Sequence, residues 1–238
     1  MIKPAGKISI LAISGLVLVF AAAVSAELKL TAEQWAQLRA GKIVKKVWKE
    51  KGTQSGAWSV RQFKYSPETM WKVISSLELY DEYMDRTTVS RNLDQKTRDA
   101  IVNQKLTDPE AIQKLFSQME PGFRVVSPDG KWTVYSYQRN KFPWPLVDRW
   151  ILLEITHDDQ TMLQTWRRLA GNIKEDYGSW QVHPDKNGAL CENNFHIDLD
   201  IPATGAFVSF GTEVSLPATY DAFDKMAKDL STPKPAGH

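Results

Sequence analysis

A charged pair at the start of an apolar segment is the feature of this sequence that could most readily bind a ligand. The stretch RNKFPWPLVDRW (139–150) places Trp144 between two prolines and ends on Asp148, Arg149 and Trp150. Proline fixes its own backbone φ angle, so this loop can hold the Trp144 ring in place at little entropic cost. The residues that follow have the composition of a β-strand, whose side chains alternate between two faces.

Strand alternation places Arg149 on the same face as Ile151, Leu153 and Ile155, the more apolar of the two faces. A buried guanidinium without a partner costs several kcal/mol, so Arg149 then needs a carboxylate, a set of backbone carbonyls or the polar head of a ligand. The alternative is a solvated strand end, where Arg149 pairs with Asp148 or extends into water. Trp144 likewise either lies at the mouth of a ligand site or fills the core beneath a turn.

The other residue types that often carry chemistry do not form a catalytic or metal-binding pattern. Two histidines are predicted in turns, one on the polar face of a strand and one at the end of the chain, and we interpret all four as surface residues: His157, His183, His196 and His238. Their spacing matches no zinc site, and Cys191 suits a small buried side chain better than a nucleophile. The sequence therefore predicts no catalytic residue, no metal and no cofactor.

Residues 1–26 have the pattern of a secretory signal peptide. Lys3 and Lys7 precede an apolar run, and small residues end the segment before Glu27. We expect an exported protein, periplasmic or secreted, after cleavage at this point. The alternative is an uncleaved membrane anchor, because the apolar run is only slightly short for a membrane span.

The charge balance argues against nucleic acid as a partner. The chain has 30 basic and 28 acidic residues, and two of the lysines belong to the N-terminal segment, so the remainder is balanced. Nucleic-acid-binding proteins carry a basic excess that meets the phosphates. The 9 tryptophans, 7 tyrosines and 9 phenylalanines instead suit a large core or a cavity for an apolar molecule. The sequence does not indicate an oligomeric state.

Helix signals occur early in the chain and give way to a run of strands. Capping residues predict helices that begin after Thr31, Ser66 and Asp108, the last two with proline at the first helical position. A long C-terminal helix is expected to be kinked or broken at Pro217. Period-two patterning predicts strands at 43–49, 57–65, 87–93, 131–139, 148–156, 161–170, 176–183 and 189–199.

This order predicts an α+β fold in which a curved antiparallel sheet wraps around the long C-terminal helix. The apolar stripe of that helix includes Phe207 and Phe210, and an internal hydrophobic cavity can remain between helix and sheet. The predicted organisation is a signal peptide at 1–26, an N-terminal helical extension at 27–42, one domain at 43–230 and a disordered tail at 231–238.

Five features, in their order along the chain, resemble the START-like superfamily, which includes lipid-transport proteins, polyketide cyclases and plant hydrophobic-ligand binders. They are the helix at Ser66-Pro67, the loop Pro143-Trp144-Pro145-Leu146, the pair Asp148-Arg149, the segment Gly178-Ser179-Trp180 and the helical segment Leu216-Pro217-Ala218-Thr219-Tyr220. The resemblance covers about residues 43–230 and implies a helix-grip fold around a tunnel. In lipid-binding members the matching loop lies near the tunnel mouth, and the arginine that matches Arg149 points into the cavity.

The resemblance implies a binding or transport protein for a hydrophobic small molecule, with a lipid as the first expectation and with possible transient membrane contact. The candidate ligand-binding residues are Arg149, Trp144, Trp180, Trp71, Phe207 and Phe210. For each aromatic residue among them, a place in the ordinary core is the alternative. Two other functions stay open: an enzyme of the cyclase or dehydratase type, which needs acids or bases that converge on the cavity, and an interaction domain with a filled core.

Overall fold

The computed structural model describes five segments of the chain, with the backbone alone for residues 205–214: residues 28–49, 54–120, 122–142, 147–199 and 205–232. The predictions for the signal segment, for Trp144, for the side chains of Phe207 and Phe210, and for His238 lie outside the described residues. Among the described helices, none is both long enough and apolar enough to cross a membrane.

The described residues form nine β-strands and six α-helices. The strands are β1 (Val44–Lys49), β2 (Gln54–Phe63), β3 (Thr87–Leu93), β4 (Val125–Val126), β5 (Trp132–Asn140), β6 (Arg149–Asp158), β7 (Leu163–Gly171), β8 (Glu175–Asp185) and β9 (Gly188–Asp198). The α-helices are α1 (Ala32–Arg39), α2 (Pro67–Ser75), α3 (Tyr80–Tyr83), α4 (Gln95–Asn103), α5 (Pro109–Leu115) and α6 (Gly205–Ser231).

The strands form a single antiparallel sheet in the order β1-β2-β9-β8-β7-β6-β5-β3, with the short β4 paired to β5. Strands β5 to β9 follow one another as hairpins. The β1–β2 hairpin lies at one edge, where β2 pairs with β9 over residues Gln54–Phe63, and β3 lies at the opposite edge. The sheet is curved and open, and the C-terminal helix α6 packs on one of its faces. This arrangement confirms the predicted α+β helix-grip fold.

Local signals explain why the first helices begin where they do. The Ser66 hydroxyl accepts a hydrogen bond from the Thr69 backbone N–H at 3.2 Å, and Pro67 occupies the first turn of α2, where its missing N–H costs nothing. Thr31 forms the predicted capping box with Gln34 at the start of α1.

We call the face of the sheet that packs against α2 and α6 the inner face. Its apolar residues form one continuous core with α2 and α6, which includes Ile74, Val134, Ile155, Val182 and Phe223. Each of these side chains is at most 3% exposed to solvent. This core joins the helical layer to the sheet, as a helix-grip fold requires.

The opposite face, here called the outer face, carries a second apolar layer over β5 and β6. Helices α4 and α5 cover it, and the core between them includes Ile101, Ile112, Tyr137, Trp150 and Leu152. Helix α4 was not predicted from the sequence. Its start is capped by Asp94, which accepts from the Thr97 N–H at 2.7 Å, but only two of its residues are buried, so it has no apolar stripe.

Helix α6 continues through Pro217 for its whole length, so the expected break is not observed. Proline lacks the backbone N–H that the preceding turn would accept, and one helical hydrogen bond is therefore missing at this point. The second half of α6 is tied down by other means: Tyr83 donates to the Asp229 carboxylate at 3.0 Å, and Arg61 pairs with Asp221.

Candidate functional site

Strand β6 presents different residues to the two cores, in the alternation that its sequence predicts. Ile151, Leu153 and Ile155 belong to the inner core and are 2, 6 and 1% exposed. Trp150 and Leu152 belong to the outer core, beneath α4 and α5. The predicted inner row, which begins with Arg149, is therefore confirmed for its apolar members.

Arg149 lies at the start of this row and does not pair with its neighbour Asp148. Its terminal Nη1 donates to the backbone carbonyl of Asn172 at 3.0 Å. Asp148 is paired instead with Arg139, at 3.4 Å between Nη2 and Oδ2. Among the described residues no carboxylate lies within ion-pair distance of Arg149, and its Nε–H is buried without a hydrogen-bond partner.

The turn between β7 and β8 is hydrogen-bonded to the start of β6. The Asn172 side chain accepts from the Trp150 N–H at 2.8 Å and donates to the Asp148 carbonyl at 3.1 Å. Gly171, with φ of +137°, brings its backbone so close that an added Cβ would lie 2.5 Å from the Trp150 carbonyl oxygen. The carbonyls of this turn are thereby held at fixed positions beside Arg149.

A second arginine reaches the same turn. Arg168 pairs across the sheet with Leu153, which places it on the inner face. Its Nη2 donates to the Gly171 carbonyl at 2.8 Å, and its Nε–H is also buried, without a partner among the residues that the structure describes. Arg168 was not identified from the sequence, although alternation from Trp166 along β7 places it on the inner face; the bulge opposite Leu152 and Leu153 comes after it.

The sheet splits open beside Arg168. The pairing of β7 with β8 ends at Arg167 and Tyr177, after which β7 stays with β6 and β8 stays with β9. A depression of about 190 Å³ lies at this split. Its lining consists of Arg167, Arg168, Lys174, Glu175, Asp176 and Tyr177.

Asp176 is the acidic residue at the split whose pKa is shifted by its surroundings. Burial raises the pKa of its carboxyl to about 6, against the opposing effects of a hydrogen bond from Trp166 and of the charge of His196. The Trp166 indole N–H donates to Asp176 Oδ1 at 2.7 Å. Register places Asp176 opposite Ile197, on the inner face, so the carboxyl and its indole partner belong to the same end of the inner face as the two arginines.

The candidate Trp180 lies in a closely packed part of the inner core. Its ring meets Tyr220 edge-on at a centroid distance of 5.5 Å and contacts Phe223 at 5.1 Å. The Tyr220 hydroxyl is hydrogen-bonded to Ser59 Oγ at 3.0 Å and donates to the Cys191 carbonyl at 3.2 Å. Contact of Trp180 with a ligand stays a prediction, since α6 covers this ring in the structure.

Cys191 lies in this same packed region and is fully buried. Burial raises the pKa of its thiol, so the reactive thiolate form is suppressed. The prediction of a small buried side chain rather than a nucleophile is confirmed.

The candidate Trp71 lies at the other end of the inner face, in a cluster around His157. Its indole donates to Asp159 Oδ1 at 2.9 Å, and Trp132 donates to the same oxygen at 3.0 Å. His157 stacks on Trp132 and meets Trp71 edge-on at a centroid distance of 5.8 Å. This end of the inner face is enclosed, with His157 at 0% exposure.

The interpretation of the histidines as surface residues is wrong for the three that the structure describes. His157, His183 and His196 are 0, 6 and 7% exposed. Strand β6 extends beyond residue 156, so His157 falls within it, and β8 continues for two residues after His183, so neither histidine lies in a turn. His183 meets Glu192 at 2.8 Å, and the Tyr177 ring covers His196 at 4.7 Å.

The described residues contain no group of three or more metal-ligating side chains that could hold a metal ion. The polar groups that do converge are Arg149, Arg168 and the pair Trp166–Asp176, all near the split in the sheet. What this arrangement can do is bind: an apolar inner row leads to a short set of charged and hydrogen-bonding groups, the composition that is typical of small-molecule sites.

No protein-family model matches the sequence, and no curated protein matches it. Several solved structures match its fold. A STAR-related lipid transfer protein from Xanthomonas axonopodis has a TM-score of 0.54 at 15% identity, over 78% of this chain and 93% of its own. A START superfamily protein from Mycobacterium smegmatis has a TM-score of 0.51 at 10% identity, over 79% of this chain and 99% of its own.

The Zhui aromatase/cyclase from Streptomyces sp. R1128 is similar to the same degree, with a TM-score of 0.51 at 10% identity, over 77% of this chain and 98% of its own. At such identities the likeness establishes the fold. The described part of the chain therefore has a START-like helix-grip fold, as the five sequence features predicted.

Proposed function

We propose that this protein binds a hydrophobic small molecule between the inner face of the sheet and helix α6. The observation that carries the proposal is the inner row of β6, where three buried aliphatic side chains lead to a guanidinium that no described carboxylate neutralises: Ile151, Leu153, Ile155 and Arg149. An apolar wall with few polar groups at one end suits a ligand with a long apolar part and a polar end.

A lipid is the ligand class that we favour. The neighbour from Xanthomonas axonopodis is described as a STAR-related lipid transfer protein, and its fold covers most of both chains. Fold alone does not fix function, so the support comes from the combination of this likeness with the inner row of β6. Transfer of the lipid would require transient contact with a membrane, which we include in the proposal.

Export is a further part of the proposal and rests on residues 1–26 alone. We expect the intact mass of the protein recovered from its native host to correspond to a chain that begins at Glu27. A product that keeps Met1 and stays in the membrane fraction would instead support an anchored protein. This outcome would leave the ligand-binding proposal unaffected.

The ligand is tested by extraction. Protein purified under native conditions is extracted with organic solvent. The extract is compared by mass spectrometry with that of a control preparation that lacks the protein. In parallel, the protein is titrated with the fluorescent fatty acid cis-parinaric acid. We expect a co-purified apolar compound or saturable binding with a stoichiometry of one. An empty extract together with no saturable binding would refute the proposal.

A second candidate function is an enzyme of the cyclase or dehydratase type, and Asp176 is the observation that favours it. Its carboxyl, with a pKa of about 6, can exchange a proton near neutral pH, and it lies on the inner face beside the Trp166 N–H. Incubation with the extracted ligand distinguishes the two functions. Recovery of the ligand unchanged supports a carrier, whereas a new mass that is lost in Asp176→Asn supports an enzyme.

A further inference from the structure

Two guanidinium groups converge on one turn at the open end of the inner face. Arg149 donates to the carbonyl of Asn172 at 3.0 Å, and Arg168 donates to the carbonyl of the preceding residue, Gly171, at 2.8 Å. The two arginines come from neighbouring strands, β6 and β7, on the same face. Consecutive carbonyls thus orient both side chains.

Both arginines keep hydrogen-bonding capacity that the described part of the chain does not use. Among the described residues, the Nε–H of each is buried and has no partner. A buried N–H group without a partner is costly, and most such groups in folded proteins are satisfied. A ligand that accepts hydrogen bonds at this position would satisfy them.

The charges of the two arginines are also not neutralised by the described part of the chain. Neither forms an ion pair there, although nearby arginines do: Arg139 pairs with Asp148 at 3.4 Å, and Arg167 pairs with Glu154 at 2.7 Å. The Asp176 carboxylate accepts a hydrogen bond from the Trp166 indole at Oδ1 and forms an ion pair with neither of the two arginines. Two like charges that share one turn repel each other, and an anion between them would remove this cost.

The split in the sheet opens beside one of the two arginines, Arg168. The depression between β7 and β8, about 190 Å³ in volume, has Arg168 in its wall. On the inner side, the row that begins with Arg149 continues as Ile151 and Leu153, so a polar head at the split leaves an apolar chain free to follow β6. The charged groups therefore lie at one end of the inner row of β6, and the apolar side chains lie along the rest of it.

We propose that Arg149 and Arg168 together bind the anionic head, a carboxylate or a phosphate, of the amphiphilic ligand. The proposal rests on the proposed function and adds the chemical class of its ligand. Guanidinium groups suit this role because they donate paired hydrogen bonds to carboxylate and phosphate oxygens and stay charged at every physiological pH. The binding site is thus defined by a residue pair that spans β6 and β7.

The test compares a charged probe with its neutral analogue. cis-Parinaric acid and its methyl ester share one apolar chain and differ in the head group. Each is titrated against the wild-type protein, Arg149→Gln and Arg168→Gln, with Arg91→Gln as the matched control, since Arg91 lies on the edge strand β3 and pairs with Asp81 at 2.7 Å. Thermal melting checks that each variant is folded.

We expect each inner-face substitution to weaken binding of the acid by roughly 10-fold or more, the effect of losing a charge-assisted hydrogen bond. Binding of the ester should change by less than about 2-fold, and the control should bind both probes as the wild type does. Equal affinity of the wild type for acid and ester, or loss of both probes to the same extent in folded variants, would overturn the anionic-head proposal. If neither the acid nor the ester binds the wild type and the solvent extract is also empty, the proposed function itself is refuted.

The source of the anion is resolved with a second probe pair, fluorescently labelled phosphatidic acid and the corresponding diacylglycerol. Preference for phosphatidic acid that is lost in Arg168→Gln assigns a phosphate head, and the same preference for parinaric acid alone assigns a carboxylate. If Arg168→Gln does not fold, salt dependence of the wild type replaces it. Affinity for the charged probe alone should then fall as salt is raised, and no difference between the probes would contradict the proposal.

Discussion

His157 stacks face to face on Trp132, with ring centroids 3.6 Å apart and ring planes within 5° of parallel. Burial lowers the pKa of His157 to about 4, although the charge of Asp159 and the nearby Gln164 side chain act in the opposite direction. The imidazole is therefore neutral in the folded protein at physiological pH. It serves as an aromatic core residue between two indole rings.

The first prediction concerns stability in acid. In the unfolded chain His157 binds a proton below about pH 6.5, whereas the folded protein binds it only near pH 4. Its contribution to the free energy of unfolding is thus fully present above pH 6.5 and is lost as the pH falls from 6.5 to 4, by about 3 kcal/mol in all.

The variant His157→Phe keeps an aromatic ring and removes the titration. Urea unfolding from pH 7 to pH 4 should show a smaller loss of stability in the variant than in the wild type. For each protein, the loss is measured relative to its own free energy of unfolding at pH 7. Parallel curves for the two proteins would show that His157 does not titrate as described.

The second prediction concerns the turn that holds the two inner-face arginines. In Gly171→Ala the new Cβ would lie 2.5 Å from the Trp150 carbonyl oxygen, at a φ of +137°. We expect a loss of about 3 kcal/mol or more in unfolding free energy. Gly130→Ala is the control, since Gly130 also has positive φ, at +85°, but has open space around it and should lose only about 1 kcal/mol. Equal losses would refute the role of the close contact.

The third prediction is that the first half of α6 covers the ligand. Pro217 removes one helical hydrogen bond between the two halves, and the second half is anchored through Tyr220, Asp221 and Asp229. Addition of ligand should slow amide hydrogen exchange in residues 205–216 and leave residues 218–231 unchanged. Unchanged exchange in the first half at saturating ligand would remove the covering role.

Much of the fold could be predicted because its signals are local. Ser66 and Pro67 mark a helix start within two residues, and the alternation of β6 identifies its two faces. Helix α4 escaped prediction because Thr97 and Ile101 are its only buried residues, so it lacks an apolar stripe. Its place in the fold depends on the outer face of β5 and β6, which no local pattern reveals.

The site could be predicted only in part for the same reason. Arg149 was identified from alternation, but its meeting with Arg168 at one turn depends on the pairing of β6 with β7, which no local pattern reveals. The buried histidines were misinterpreted because His157 lies one residue before the end of its strand, where turn and strand are hard to separate by sequence. Register and strand length are set by tertiary pairing.

The central claim, that an apolar ligand lies along the inner face of the sheet, is tested most directly by photolabelling. A fatty acid with a diazirine on its chain is bound to the protein and activated by light, and the labelled residues are located by mass spectrometry. The account predicts labels within β6 at Ile151, Leu153 or Ile155 and none at Trp150 or Leu152, which face the outer core. Labels on Trp150 or Leu152, or no competable label within β6, would contradict it.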